Sequence, residues 1–343
     1  IDQSYYTGGP NVPGNIGAGD LTNHYTRGIP RNEVFPTKDL GATGNGYEYT
    51  FDLAYYPGER GPYNYTPNVS AGGKYFDPQR QPLFDNYGGI SRAITFDTDF
   101  DNANVEYLEF WLMDPSLKTN NPTNSNDNTS IIDSENPAQS TDASNLGGDL
   151  FINLGNVSED VLKDSNQHEF ENGLPVPGED PTGVTVPTIW GRVTTQQFLT
   201  DAFNAAPGAR DAQDVGLEGF NDTDEKAFFA SVYDYGSFDD PSADNFRHHL
   251  DGFYDTNVPG GTNILGRYKN YNGYEGNPRD GGRLSTTPYP DKEDLNRDNV
   301  VQDVERYYEY RVRLENRPEN FQVGQNYIID QVTNTVNGDK VTW

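Results

Sequence analysis

The twelve residues 294–305 carry the side chains of this chain whose types and spacing could best do chemistry. Oxygen-bearing side chains stand at loop positions 1, 3, 5, 9 and 12, which is close to the spacing of an EF-hand calcium loop. The expected ligands are five side chains and one backbone carbonyl, that of the valine: Asp294, Asn296, Asp298, Val300, Gln302 and Glu305. Prolines precede the loop and a strand-like pattern follows it, so the flanking helices of an EF-hand are not predicted. The segment therefore predicts either a fixed calcium site or an Asx-rich turn that leads into a strand.

Other reactive residues are sparse, and they predict a protein that is not an enzyme. The chain has no cysteine, which rules out thiol chemistry and disulfides. Its four histidines, His24, His168, His248 and His249, lack the paired spacing of a zinc site. No Gly-x-Ser-x-Gly elbow of a serine hydrolase occurs. No catalytic residue and no organic cofactor is predicted, and calcium is the one cofactor expected.

The net charge of the chain limits the classes of partner that it could bind. It carries 53 acidic against 24 basic residues, a formal net charge of -29. Nucleic acids and anionic membrane surfaces need a basic face, so both are disfavoured. No apolar stretch approaches the length of a transmembrane helix. Aromatic residues reach 13%, with 36 glycines and 23 prolines, which indicates a folded chain with many turns.

Periodicity predicts a mainly β fold, most simply a jelly-roll-like β-sandwich with long loops and two or three short helices. Strands are predicted at 47–53, 90–100, 104–113, 148–155 and 307–314, with a closing hairpin from 325–332 and 340–343. The segment 104–113 is apolar on both faces, which is typical of a central strand. Short helices are predicted at 158–163, 194–203 and 223–233. No internal repeat is evident.

The predicted organisation is an irregular N-terminal segment, 1–45, followed by one β-rich domain, 46–343. Within that domain, 116–147 and 171–188 are expected to be surface loops. The chain begins at Ile1 without an initiator methionine and ends at Trp343, shortly after an Asn337-Gly338 turn signal. We expect a fragment of a longer protein, truncated at both ends.

Six segments resemble, in the same order, segments of the SprA/Sov family of the Bacteroidota. They span roughly residues 50–343 and lie at 58–65 (GERGPYNY), 105–115 (VEYLEFWLMDP), 148–160 (GDLFINLGNVSED), 170–175 (FENGLP), 267–277 (RYKNYNGYEGN) and 294–299 (DLNRDN). Family members are giant single-chain outer-membrane β-barrel proteins of the type IX secretion system, which pass folded cargo to the cell surface and are needed for gliding motility. The resemblance implies a translocon element without catalytic residues.

The resemblance also implies a location and partners. The hydrophilic composition favours an extra-membrane portion of the outer-membrane protein, on the cell surface or the lumen side of the barrel, rather than its lipid-facing strands. Implied partners are a PorV-like lipid-embedded shuttle protein, a plug protein and secreted cargo proteins. An alternative from the residues alone is a calcium-stabilised carbohydrate-binding or adhesive surface module, since aromatic side chains such as Tyr63, Tyr107 and Trp111 could stack on sugars.

Overall fold

A computed structural model describes a large part of the chain. The described residues are 21–38, 41, 46–53, 55, 57–58, 85–96, 98–115, 117, 148–168, 185–188, 191–194, 221–231, 249–255, 264–269, 292–315 and 317–343. Several predictions fall outside them: the helix beyond Thr194, most of the loops 116–147 and 171–188, and the resemblance segment 170–175.

The described elements are short, and the strands pair in twos. The strands are β1 Ile29–Pro30, β2 Tyr47–Glu48, β3 Asp149–Asn156, β4 Thr185–Thr188, β5 Gly191–Thr194, β6 Arg306–Arg313, β7 Thr333–Val336 and β8 Asp339–Thr342. The helices are α1 Arg31–Val34, α2 Asp222–Phe228 and α3 Ile264–Lys269, with 3-10 turns at Gly252–Asp255 and Pro318–Phe321. Among the described residues, β1–β2, β3–β6, β4–β5 and β7–β8 each form an antiparallel two-stranded sheet. A β-leaning fold agrees with the prediction, whereas the jelly-roll sandwich stays a prediction.

The longest sheet, hereafter the ladder, pairs β3 with β6 over eight residues each. Both strands were predicted from alternation, and the structure confirms them within a residue or two. Leu150 lies opposite Val312, and Ile152 opposite Tyr310, so the apolar residues share one face. The ladder joins residues that are 150 or more positions apart, since Asn156 faces Arg306 at one end and Asp149 faces Arg313 at the other.

Two other predicted strands are not formed. The described residues of 90–100 and 104–113 have no strand partner, and the prediction of a buried central strand at 104–113 is wrong. Tyr107 is 77% exposed, and Trp111 packs edge-to-face on Phe35 with ring centroids 5.8 Å apart. An alternating pattern predicts an extended backbone. A sheet forms only when a second strand lies within hydrogen-bonding distance, and the local pattern does not specify that second strand.

The two hairpins also correct the prediction in detail. The β7–β8 turn is Asn337-Gly338, with φ of 53° and 93°, which is the left-handed pair that a two-residue hairpin turn requires. The turn and second strand were predicted, but the first strand is Thr333–Val336 rather than 325–332. The β4–β5 hairpin includes 185–188, the end of a segment predicted as loop, and ends at Thr194, where a helix was predicted to begin.

One predicted helix is present in shortened form. The pattern at 223–233 predicted it, and α2 covers Asp222–Phe228, while 232–233 lie outside the described residues. Asn221 is its N-cap, because the side-chain oxygen accepts hydrogen bonds from the N–H groups of Thr223 and Asp224. Acidic residues fill the first turn, where the helix dipole favours negative charge.

The segment from 21 to 38, predicted as irregular, is ordered by a buried polar network with the C-terminal hairpin. His24 Nε2 lies 3.1 Å from an Asp339 carboxylate oxygen, and Arg27 Nε donates to His24 Nδ1 at 3.1 Å. The Arg27 guanidinium also donates twice to Glu33, at 2.7 and 2.5 Å. Trp343 Nε1 donates to the same Glu33 carboxylate at 2.9 Å. The His24–Asp339 and Glu33–Trp343 contacts join residues 315 and 310 positions apart, so no local sequence pattern predicts them.

Replacing Gly155 with alanine tests the end of the ladder. Gly155 has a φ of 142°, and a Cβ there would lie 2.6 Å from the Arg306 carbonyl oxygen. We expect Gly155→Ala to lower the free energy of unfolding by about 1–3 kcal/mol, through backbone strain and a contact that cannot relax cheaply. Urea unfolding followed by circular dichroism measures the change.

Gly148→Ala is the matched control, since a Cβ at Gly148 meets nothing within 4 Å. Equal stability of Gly155→Ala and Gly148→Ala would contradict the ladder geometry.

Candidate functional site

Two acidic loops meet where the ladder ends. The first acidic loop, residues 157–168, follows β3, and the second acidic loop, residues 292–305, precedes β6. Since Asn156 and Arg306 face each other in the register, the chain leaves and re-enters the ladder at the same end. The two loops together are called the clasp below, and they contain all six residues predicted to bind calcium.

Glu159 joins the first loop to the second. Its side chain is buried, with the residue 7% exposed, and its two carboxylate oxygens accept hydrogen bonds from the N–H groups of Leu295 and Gln302 at 3.1 and 3.0 Å. The Glu159 N–H in turn donates to the Gln302 carbonyl at 2.7 Å. A carboxylate bound to backbone N–H groups makes charge-assisted hydrogen bonds, which are stronger than neutral ones.

Glu293 joins the second loop to the first in the same way. It is 1% exposed, and its oxygens accept hydrogen bonds from the N–H groups of Leu162 and His168 at 3.0 and 2.9 Å. Its own N–H donates to the His168 carbonyl at 3.1 Å. Burial raises the pKa of Glu293 to about 6, against the opposing effect of these N–H groups and of the nearby His168, while the charge of Asp160 adds to the rise.

The predicted calcium ligands of the second loop bind the loop's own backbone. Asp294 accepts hydrogen bonds from the N–H groups of Asp298 and Asn299 at 3.1 and 2.8 Å. Asn296 also accepts from the Asp298 N–H, at 2.8 Å, and Asp298 accepts from the Val300 N–H at 2.9 Å. These hydrogen bonds form the Asx-rich turn that the sequence offered as the second interpretation.

The remaining predicted ligands do not close a shell around that turn. Val300 and Glu305 are exposed, and the backbone of Gln302 pairs with Glu159. In the part of the chain that the structure describes, no group of three or more His, Asp or Glu side chains is placed to hold a metal ion. Calcium at this loop stays a prediction.

The first loop contains residues that the sequence did not single out. A helix was predicted at 158–163, and this is wrong: Asp160 accepts hydrogen bonds from the N–H groups of Asp164 and Ser165 at 3.0 and 2.9 Å, which turns the chain instead. The Asp164 carboxylate lies 2.8 Å from His168 Nε2. Although partial burial acts the other way, hydrogen bonds from Asn166 and His168 hold the pKa of Asp164 below its usual value. Each of the two turns begins with a Glu-Asp pair, at 159–160 and at 293–294. This repeated pair is the sequence signal from which both turns could have been predicted.

The titration of Glu293 predicts that the free energy of unfolding falls as the pH rises. Its folded-state pKa, about 6, lies above the ordinary value of 4.5. Its contribution to stability is therefore fully present below 4.5 and is lost as the pH rises through about 6. In the unmodified chain, the free energy of unfolding should fall by about 1–2 kcal/mol between these pH values, since one pKa unit corresponds to about 1.4 kcal/mol. We expect Glu293→Gln to abolish this fall. Urea unfolding as a function of pH, with a chelator present, measures it.

Glu305→Gln removes the same charge at an exposed position of the same loop. With the chelator present, its free energy of unfolding should depend on pH as that of the unmodified chain does. Identical slopes for Glu293→Gln and the unmodified chain would contradict the assignment.

The calcium prediction has a separate test. If the second loop binds calcium, the ion should raise the melting temperature by several degrees at saturation, because binding at 100 times Kd adds about 2.7 kcal/mol of stability. Asp298→Asn should remove the shift, since the amide oxygen still accepts from the Val300 N–H but the ligand charge is gone. Asp303→Asn is the matched control outside the ligand positions. A shift that survives in Asp298→Asn, or no shift at all, would exclude this loop as a calcium site.

The comparison with protein families matches a C-terminal part of the chain that includes the second acidic loop. Residues 221–343 match the SprA_N family model, described as motility related/secretion protein. The matched span includes α2, the second acidic loop, β6 and the C-terminal hairpin. A comparison with curated proteins gives no match. The match confirms the resemblance drawn from the sequence segments, and residues 221–343 belong to the SprA family of motility-related and secretion proteins.

Proposed function

We propose that this chain is a non-enzymatic structural element of the type IX secretion translocon in the outer membrane, where it helps export folded cargo to the cell surface and supports gliding motility. The observation that carries the proposal is the family match over 221–343, whose description names motility and secretion. The resemblance segments before residue 221, such as 105–115 and 148–160, extend the same assignment toward the N-terminus.

Tertiary contacts support extending the function of the matched residues to the rest of the described chain. Glu159, outside the match, binds the backbone of Leu295 and Gln302, inside it. His24, near the N-terminus, binds Asp339 of the C-terminal hairpin. Because Glu159, His24 and Asp339 are buried and polar, removing their partners would leave them unsatisfied, which couples the two parts energetically.

The most catalytic-looking arrangement among the described residues has a structural role. The His24–Asp339 pair resembles the base and orienting acid of a hydrolase, but Arg27 Nε donates to the other ring nitrogen of His24. Arginine Nε is always a donor, so Nδ1 of His24 acts as the acceptor and Nε2 donates to Asp339. Both ring nitrogens are thereby committed to partners within the protein, which supports a non-enzymatic function.

The proposed location is the extra-membrane portion of the outer-membrane protein, with a PorV-like shuttle protein, a plug protein and secreted cargo as partners. None of the described helices combines the length and the apolar character needed to cross a bilayer. The acidic balance of 53 against 24 charged residues makes nucleic acid an unsuitable partner.

A carbohydrate-binding or adhesive surface module stays an untested alternative. Tyr107 is exposed, whereas Trp111 packs on Phe35, and Tyr63 lies outside the described residues. A glycan array with and without calcium distinguishes the two functions, because the translocon element should give no binding.

The decisive experiment uses secreting cells that carry the full-length protein. We expect the double variant Glu159→Ala/Glu293→Ala to cut cargo at the cell surface by about tenfold or more and to retain it in the periplasm, because each substitution removes the carboxylate that two backbone N–H groups of the opposite loop bind. Cell fractionation and gliding assays measure the loss, and affinity purification of the unmodified protein should recover outer-membrane secretion components. Asp303→Ala, at an exposed position outside the predicted ligands, is the control.

Immunoblots of the outer-membrane fraction separate loss of function from loss of the protein. Normal secretion in cells that lack residues 21–343 of this chain would refute the proposed function.

A further inference from the structure

The two acidic loops share a sequence pattern that the sequence analysis missed. The pattern Glu-Asp-x-x-basic-Asp-small-polar occurs twice, at 159–165 (EDVLKDS) and at 293–299 (EDLNRDN). Five of its seven positions are defined, and every one is identical or chemically similar between the copies. The copies lie 134 positions apart, in parts of the chain that otherwise read as unrelated.

The backbone follows the same path in both copies. Lys163 and Ser165 have positive φ, at 56° and 60°, and so do the equivalent Arg297 and Asn299, at 62° and 65°. A left-handed conformation is unfavourable for a residue with a Cβ, so alternate residues in that conformation at equivalent places are not expected by chance. The two loops therefore share one unusual fold.

The side-chain hydrogen bonds inside each copy also correspond. Oδ1 of Asp160 accepts from the N–H four residues on and Oδ2 from the N–H five residues on, at 3.0 and 2.9 Å. Asp294 makes the same two bonds with the same two oxygens, at 3.1 and 2.8 Å. The later aspartates, Asp164 and Asp298, each accept from the N–H two residues further on, at 3.0 and 2.9 Å.

The contacts between the copies are reciprocal. The N–H of Glu159 donates to the carbonyl nine residues after Glu293, and the N–H of Glu293 donates to the carbonyl nine residues after Glu159. Each carboxylate accepts from that same residue of the opposite copy and from one residue nearer its start, Leu295 or Leu162. These last two positions differ by one residue. Gln167 Nε2 also donates to Asp294 at 3.2 Å, a bond that the equivalent Val301 cannot return, so the symmetry is approximate. Reciprocal contacts of this kind are what a local two-fold axis produces.

We infer that residues 159–168 and 293–302 are two copies of one loop motif that recognise each other about a local two-fold axis, and that this pair is the joint on which residues 169–291 are mounted. The His168 carbonyl and the Glu293 N–H, 3.1 Å apart, mark the two ends of that insertion. The chain therefore leaves the joint and re-enters it at one point.

The joint is built mainly from charge-assisted hydrogen bonds, with Leu162 the buried aliphatic side chain of its first copy. Breaking either glutamate's bonds removes contacts from both copies at once. The two copies should therefore open together, as one cooperative unit, rather than fray separately.

Native-state hydrogen exchange in increasing urea tests this on the unmodified full chain. The amides of Leu162 and His168 in one copy, and of Leu295 and Gln302 in the other, should show the same free energy of opening and the same urea dependence. The amide of Val341, in the separate β7–β8 hairpin, serves as the reference for a different unit. Different opening free energies for the two copies would overturn the inference.

Variants add a second, independent arm. Glu159→Gln and Glu293→Gln should each lower protection by tenfold or more at the amides of both copies, including those that the substituted residue does not touch. Asp303→Asn, an exposed change outside the predicted ligand positions, should leave all four amides unchanged. The inference fails if each variant deprotects only the two amides that its own carboxylate binds, because the loops would then be independent. Amides of the ladder at Ile152 and Leu154 report whether each variant remains folded.

Discussion

Two buried carboxylates, Glu159 and Glu293, hold the described structure together where the ladder ends. Taking a carboxylate out of water costs several kcal/mol unless hydrogen bonds replace the lost hydration. Each of these carboxylates accepts two backbone N–H groups from the opposite loop, and each residue's own N–H completes a third bond across the joint. Each loop supplies the donors for the other loop's carboxylate, so these hydrogen bonds form only when both loops are in place.

The same physical solution recurs between the N-terminal segment and the C-terminal hairpin. Glu33 is buried and receives two hydrogen bonds from Arg27 and one from Trp343, while Asp339 is paired with His24. The apolar side chains of Ile29, Val34 and Val341 are buried in the same part of the chain. Long-range order among the described residues thus depends heavily on pairing buried charges with specific donors.

This dependence is consistent with a structural part of a secretion protein. A chain whose distant segments are joined by geometrically specific polar contacts has defined attachment points between its parts. In each of these contacts one residue, Asp339 or Leu295, lies inside the family match, and its partner, His24 or Glu159, lies outside it. The clasp also explains how a strand near residue 150 and one near residue 310 can pair across a long intervening stretch.

Local features of this protein can be predicted from the order of its residues. Alternation located both strands of the ladder, the Asn337-Gly338 pair located a hairpin turn, and the Asp294 spacing located a turn rich in side-chain oxygen atoms, because each of these depends on neighbours a few residues away. The ordered family segments carried the identification. Tertiary structure alone decided which strands found partners, so 104–113 remained unpaired although its pattern was strongly strand-like. It also decided the roles of Glu159, Glu293, His24 and Asp339, since their partners lie more than 100 residues away and a buried carboxylate is recognisable only once its donors surround it.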